Sequence, residues 1–120
     1  MSNIPDFTEH ELEVIREALA ERYGTPTDVE QAESELRLDP DSTLLTLCPT
    51  VYWKHDNCHF VVFKCGEPRY RCQFFYRANQ QYGTGIKEFD NLGDCVITLL
   101  RVQADYESQR QGTFPGTRGA

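Results

Sequence analysis

Apolar positions recur along the chain at two periods, one helical and one alternating. Leu12, Ile15, Leu19 and Tyr23 fall at helical spacing. Thr8 stands where an N-cap belongs, and Glu11, three residues on, completes a capping box. Phe7 before the cap and Leu12 behind it make a hydrophobic staple. Gly24 follows as a left-handed C-terminal residue, and Pro26 prevents continuation. The pattern predicts a helix over 8–23. Its other face carries Glu9, Glu13, Glu17 and Glu21, with Arg16 as partial relief.

Residues 25–42 support two readings. Thr27-Asp28-Val29-Glu30 can cap a second short helix. Alternatively, Ala32, Ser34, Leu36 and Leu38 alternate with Glu33, Glu35, Arg37 and Asp39, as in an edge strand. Asp39-Pro40-Asp41-Ser42 reads as a type I turn with Pro in second position. A turn so placed favours the strand.

Residues 43–54 are β-rich, and Pro49 among them marks a bulge or an edge, because it cannot donate to a ladder. Asp56-Asn57 makes a hairpin loop, and 58–65 the next strand. Gly66-Glu67-Pro68 turns the chain into a strand over 69–77 with clear alternation. Residues 78–87, with Asn79, Gln80, Gln81, Gly83 and Gly85, read as a loop. Asp90 or Asn91 caps a last helix, whose apolar stripe is Leu92, Cys95, Val96, Leu99, Val102 and Tyr106. Residues 112–120 read as a disordered tail. The expected fold is α+β: an antiparallel three- to four-stranded meander sheet, flanked by an N-terminal and a C-terminal helix packed on one face. One domain covers 1–111.

Pairing Lys64 with Arg69 across the turn fixes the faces of the hairpin. His59, Val61, Phe63 and Cys65 then join Tyr70, Cys72, Phe74 and Tyr76 under the helices. Cys58, Phe60, Val62, Lys64, Arg69, Arg71, Gln73, Phe75 and Arg77 form the opposite face. A slip of one residue would change which faces coincide.

Composition sets bounds on this picture. The 120 residues are 39% hydrophobic, enough for one core and too many for full disorder. No apolar run approaches the ~20 residues of a membrane span. The N-terminus has neither the basic nor the apolar region of a signal peptide. No glycine-rich nucleotide motif and no nucleophile elbow occurs.

Charge is unevenly spread within a net −7. Residues 1–42 hold 12 acids and 3 bases, a net −9. Residues 43–87 hold 2 acids and 6 bases, a net +4, and residues 88–120 hold 5 acids and 3 bases, a net −2. The plain expectation is that the acidic third lies against the basic middle and offsets it. An acidic total disfavours nucleic acid and anionic membrane as partners.

The five cysteines are Cys48, Cys58, Cys65, Cys72 and Cys95. An odd number without a secretory leader points to free thiols in a reducing cytoplasm. Zinc would need four soft or borderline donors. His55, Cys58 and His59 with the other cysteines supply the residue types, but no Cys-x-x-Cys pair exists, so no metal ligands are assigned. His55, Asp56 and Cys58 also hold the groups of a thiol nucleophile with its base. A hairpin loop excludes little water, so no catalytic residue is assigned and no enzyme is expected. No cofactor is expected either.

Two surfaces remain. Glu9, Glu13, Glu17 and Glu21 form a negative stripe able to dock a basic partner. Phe60, Arg69, Arg71, Phe75 and Arg77, with Trp53 if its strand pairs as expected, form a cationic-aromatic sheet face. Arginine and aromatics dominate protein hot spots, and they also stack bases and hold phosphates. The sequence therefore reads as a small acidic cytoplasmic accessory protein that binds another protein, of the inhibitor, immunity, chaperone or adaptor type. The alternatives are a ligand- or nucleic-acid-binding module using the sheet face, and a small zinc protein using the His/Cys cluster. The meander's open edge leaves a homodimer possible.

Overall fold

A computed structural model describes residues 4–111; the tail expected over 112–120 lies outside the described residues. The order is α1 (Glu9–Tyr23), β1 (Glu30–Leu36), β2 (Thr46–His55), β3 (Cys58–Gly66), β4 (Arg69–Arg77), β5 (Gln80–Tyr82) and α2 (Leu92–Gln111). The strands form one antiparallel sheet in the order β1-β2-β3-β4-β5. The α+β meander stands, with five strands in place of three to four.

Local chemistry sets the helix ends. Thr8 Oγ1 accepts from the Glu11 N–H at 3.1 Å, while Glu11 Oε1 accepts from the Thr8 N–H at 2.8 Å. Two of the donors orphaned at a helix start are thereby satisfied. Gly24 closes α1 at φ 75°, donating to the Ala20 carbonyl at 2.8 Å. At α2, the Asn91 side chain accepts from the Asp94 N–H at 2.9 Å.

The ambiguous segment resolves as strand. β1 runs antiparallel to β2, with Ser34 opposite Cys48. The fifth strand, Gln80–Tyr82, falls inside the stretch expected to be loop. It has three residues and no apolar alternation, so only its pairing with β4 reveals it.

The main core lies between the helices and one sheet face. Ile15 and Leu19 of α1 and Val96 and Leu99 of α2 are fully buried against Trp53, Phe60, Val62 and Phe74. Burying each such side chain contributes ~1.5–3 kcal/mol. A smaller cluster lies on the opposite face, where Cys48, Phe63 and Cys65 pack under Ile4, Leu36 and Leu38.

This arrangement corrects the expected faces of β3. Lys64 pairs with Tyr70, and Gly66 with Arg69, leaving Cys65 as an extra residue between them. That bulge shifts the register by one and turns β3 over relative to β4. Phe60, Val62 and Lys64 therefore face the helices, while His59, Val61 and Phe63 lie on the other side.

Lys64 is fully buried, and it can be because Glu11 Oε1 sits 2.8 Å from its Nζ. Its Nζ also donates to the Asp6 carbonyl at 2.9 Å and lies 3.4 Å from Glu67 Oε2. Tyr70 donates its hydroxyl to the other Glu11 oxygen. Burial pushes the Glu11 carboxyl up, but the hydrogen bonds from Lys64, Tyr70 and Thr8 outweigh it and hold it below the usual range.

Candidate functional site

The acidic stripe keeps the place expected of it. Glu9, Glu13, Glu17 and Glu21 are all exposed on the outer side of α1. Glu9 makes a long pair with Arg16 at 3.8 Å. Beside the stripe, the chain leaving α1 runs back through Pro26 to Val29. Between them lies a groove of about 430 Å³. Ala20, Pro26 and Val29 give it an apolar lining, and Glu13, Glu17 and Asp28 an acidic one, with Arg16 the cation among its walls. The acidic surface continues onto β1, an edge strand with Glu30, Glu33 and Glu35 exposed.

The acidic third does lie against the middle of the chain, since β1 pairs with β2 and Glu11 reaches Lys64, but direct ion pairs between the two are few among the described residues. Arg69 and Arg71 both turn to Glu88, in the C-terminal third. Arg69 donates to it through Nε at 3.0 Å and Nη2 at 2.8 Å, and Arg71 through the same two atoms at 3.0 and 2.8 Å. Arg71 also donates to the Leu38 carbonyl at 3.2 Å. The two guanidiniums hold the Glu88 carboxyl down at about 2: the bond from Arg69 acts most strongly, burial opposes it, and Arg71 adds to the lowering. Of the acids in 1–42, Glu11 alone reaches a cation of the basic middle among the described residues.

The cationic-aromatic face is therefore not the one expected. Phe60 is 1% exposed and stacks on Trp53 at 5.2 Å inside the core, because the β3 bulge turns it inward. Arg69 and Arg71 are committed to Glu88. Phe75 and Arg77 stay toward solvent, Phe75 half-buried and Arg77 exposed. Sequence reasoning missed the real neighbours of Phe75. His59 stacks on it at 5.0 Å, and Tyr52 stacks on His59 at 5.8 Å. The Tyr52 hydroxyl and His59 Nδ1 are hydrogen-bonded at 2.7 Å. The β2–β3 register pairs Lys54 with His59, which places Lys54 on the same face. The correct pairing of β3 with β4 was the signal that would have found this row.

His59 parts from His55 and Cys58. His59 faces the Tyr52 row, while Cys58 is buried on the helix side. Among the described residues no three His, Cys, Asp or Glu side chains gather as metal ligands would. His55 and Cys58 are cross-strand partners and line the mouth of a larger cleft of about 770 Å³, with Tyr23, Tyr76 and Glu107. Several of its polar groups serve one another, while the buried Tyr23 hydroxyl has no hydrogen-bond partner among the described residues. His55 stacks on Tyr23 at 3.6 Å and lies 3.6 Å from Asp56. Tyr76 donates to Glu107 and accepts from Gln103 at 2.9 Å, and Arg110 lies 3.4 Å from Glu107. Burial drives the Cys58 thiol up to about 11, against a lowering contact with Tyr76. A thiol so placed is protonated at neutral pH and is a poor nucleophile.

No helix among the described residues is long and apolar enough to cross a membrane. Compared with protein families, with curated proteins and with solved structures, the chain matches none.

Proposed function

We propose that this chain is a small accessory protein that acts by binding another protein, and that the α1 surface is where it does so. One observation carries the reading. The acidic stripe borders a shaped groove with an apolar lining, and three cations of the basic middle, Lys64, Arg69 and Arg71, are held by Glu11 and Glu88 rather than by the stripe. Such a site suits a basic segment of a partner, with aliphatic stems on Ala20 and Val29 and cationic heads at Glu13, Glu17 and Asp28. Charge complementarity of this kind speeds encounter and rejects acidic competitors.

The sheet face supports a protein partner over a nucleic acid. The His59 ring is stacked between Tyr52 and Phe75, and each of those rings gives one face to it, which leaves fewer open faces for base stacking. A homodimer through the β1 edge is disfavoured, because pairing with a copy would bring Glu30, Glu33 and Glu35 against like charges. Five free thiols, four of them buried, suit a cytoplasmic setting.

The test is native mass spectrometry of the protein isolated gently from its own host, beside a Glu13→Lys/Glu17→Lys variant. The expected result is a heteromeric complex with the wild-type chain and its loss with the variant, at unchanged melting temperature. A complex that survives both reversals, or a wild-type chain that comes alone, overturns the reading.

A further inference from the structure

Four of the five cysteines come together two by two. Cys48 and Cys65 share the small cluster with Phe63. The paired part of β2 and β3 ends at Thr50 opposite Phe63; carried two residues further, the same register would set Cys48 opposite Cys65, and the two thiols do interact with one another. Residues directly opposed across an antiparallel pair hold their Cβ atoms ~4.5–5.5 Å apart. A disulfide spans ~3.5–4.5 Å between Cβ atoms, so a small approach suffices. The two thiols point back to carbonyls of their own strands, Cys48 to Thr46 at 3.6 Å and Cys65 to Phe63 at 3.9 Å. The second pair joins the two layers. Cys72 Sγ, on the helix-facing side of β4, donates to the Cys95 carbonyl in the first turn of α2 at 3.8 Å. Cys58 begins β3 and Cys65 lies near its other end, so Cys58 has no place in either pair.

We propose that Cys48 with Cys65, and Cys72 with Cys95, are two latent disulfides that hydrogen peroxide closes, with Cys58 left as a thiol. In each pair one thiolate attacks the peroxide oxygen. The S–O bond forms, the O–O bond breaks, and water leaves behind a sulfenic acid. The second sulfur then attacks the sulfenyl sulfur. The S–S bond forms, the S–O bond breaks, and the hydroxyl departs with the second thiol's proton as water. Each pair thus gives two electrons and two protons to one peroxide, which becomes two waters.

Access sets the order of events. Cys72 is half-buried, while Cys48, Cys65 and Cys95 are buried. Burial pushes the Cys48 thiol up and the Cys65 thiol up to about 12, and the neighbouring Cys72 thiol together with burial raises Cys95. Cys72 is therefore the first sulfur of its pair to attack the peroxide, and Cys48 and Cys65 react when the cover of Ile4, Leu36 and Leu38 opens. Closure ties α2 to β4 and β2 to β3, which constrains the unfolded chain and raises the urea midpoint.

The test treats the full chain with hydrogen peroxide, quenches it, alkylates it with iodoacetamide in denaturant, and digests it without reductant. The expected products are a Cys48–Cys65 peptide, a Cys72–Cys95 peptide and alkylated Cys58. The intact oxidised chain is four hydrogens lighter, two for each bond. Cys72→Ser keeps the first link and leaves Cys95 alkylated. Five alkylated cysteines after oxidation, links that cross the two pairs, or sulfonic acids without links overturn the proposal. The wild-type map decides if the variant does not fold.

Discussion

Lys64 Nζ lies 2.8 Å from Glu11 Oε1, although 53 positions separate the two residues in the chain. The same carboxylate caps α1 through Thr8 and accepts from Tyr70. One side chain therefore fixes the start of the first helix to the middle strands of the sheet. Removing it strands a fully buried ammonium, whose remaining partners are the Asp6 carbonyl and Glu67. Glu11→Gln should cost about 3 kcal/mol, the lower end for breaking a buried pair. Urea unfolding checks this. Adding Lys64→Met should recover part of the loss, because the stranded charge goes with it.

Acid should act through two carboxylates. Glu11 and Glu88 both ionise below their ordinary 4.5, Glu88 at about 2. A lowered folded pKa means that the unfolded chain binds protons first as pH falls. Their contribution is thus fully present above about 4.5 and drains away as pH drops toward about 2. Urea midpoints measured across that window should fall steadily. Glu88→Gln should flatten the lower part of the curve.

The turning of β3 gives a sharp contrast between two phenylalanines. Phe60 is 1% exposed in the core, whereas Phe75 is half-buried on the open face. Phe60→Ala should cost ~3–5 kcal/mol. Phe75→Ala loses a ring stack on His59 and should cost about 1 kcal/mol. Chemical denaturation of the two variants measures the difference, and equal losses would contradict the register.

Much of the fold was legible because its signals are local. Thr8, Glu11 and Gly24 announce both ends of α1 with no help from the rest of the chain. The stripe from Leu92 to Tyr106 does the same for α2. The faces of β3 were not legible, because Lys64 argues by itself for a solvent-facing row. Its counter-ion lies on α1, and no pattern within the strand reveals Glu11. The pairing of Arg69 and Arg71 was hidden for the same reason: Glu88, 19 and 17 positions away, holds both. The exposure of the acidic stripe was legible because exposure on a helix follows from period alone. The groove beside it depends on how the chain returns after Pro26, which no local signal sets.

Cys58 provides the last expectation, since it stands beside His55 in the arrangement that nucleophilic catalysis would use. Its thiol is driven by burial to about 11 from an ordinary 9.0, which leaves about a hundredfold less thiolate at neutral pH. Native-state alkylation of Cys58 by iodoacetamide should therefore be slow at neutral pH, with a rate that climbs toward a midpoint near 11. Half-buried Cys72 should label before it. His55→Ala should leave the Cys58 profile where it is. A shoulder at neutral pH that vanishes with His55→Ala would mean that the imidazole activates the thiol, and the cleft at the end of the sheet would then hold a reactive cysteine after all.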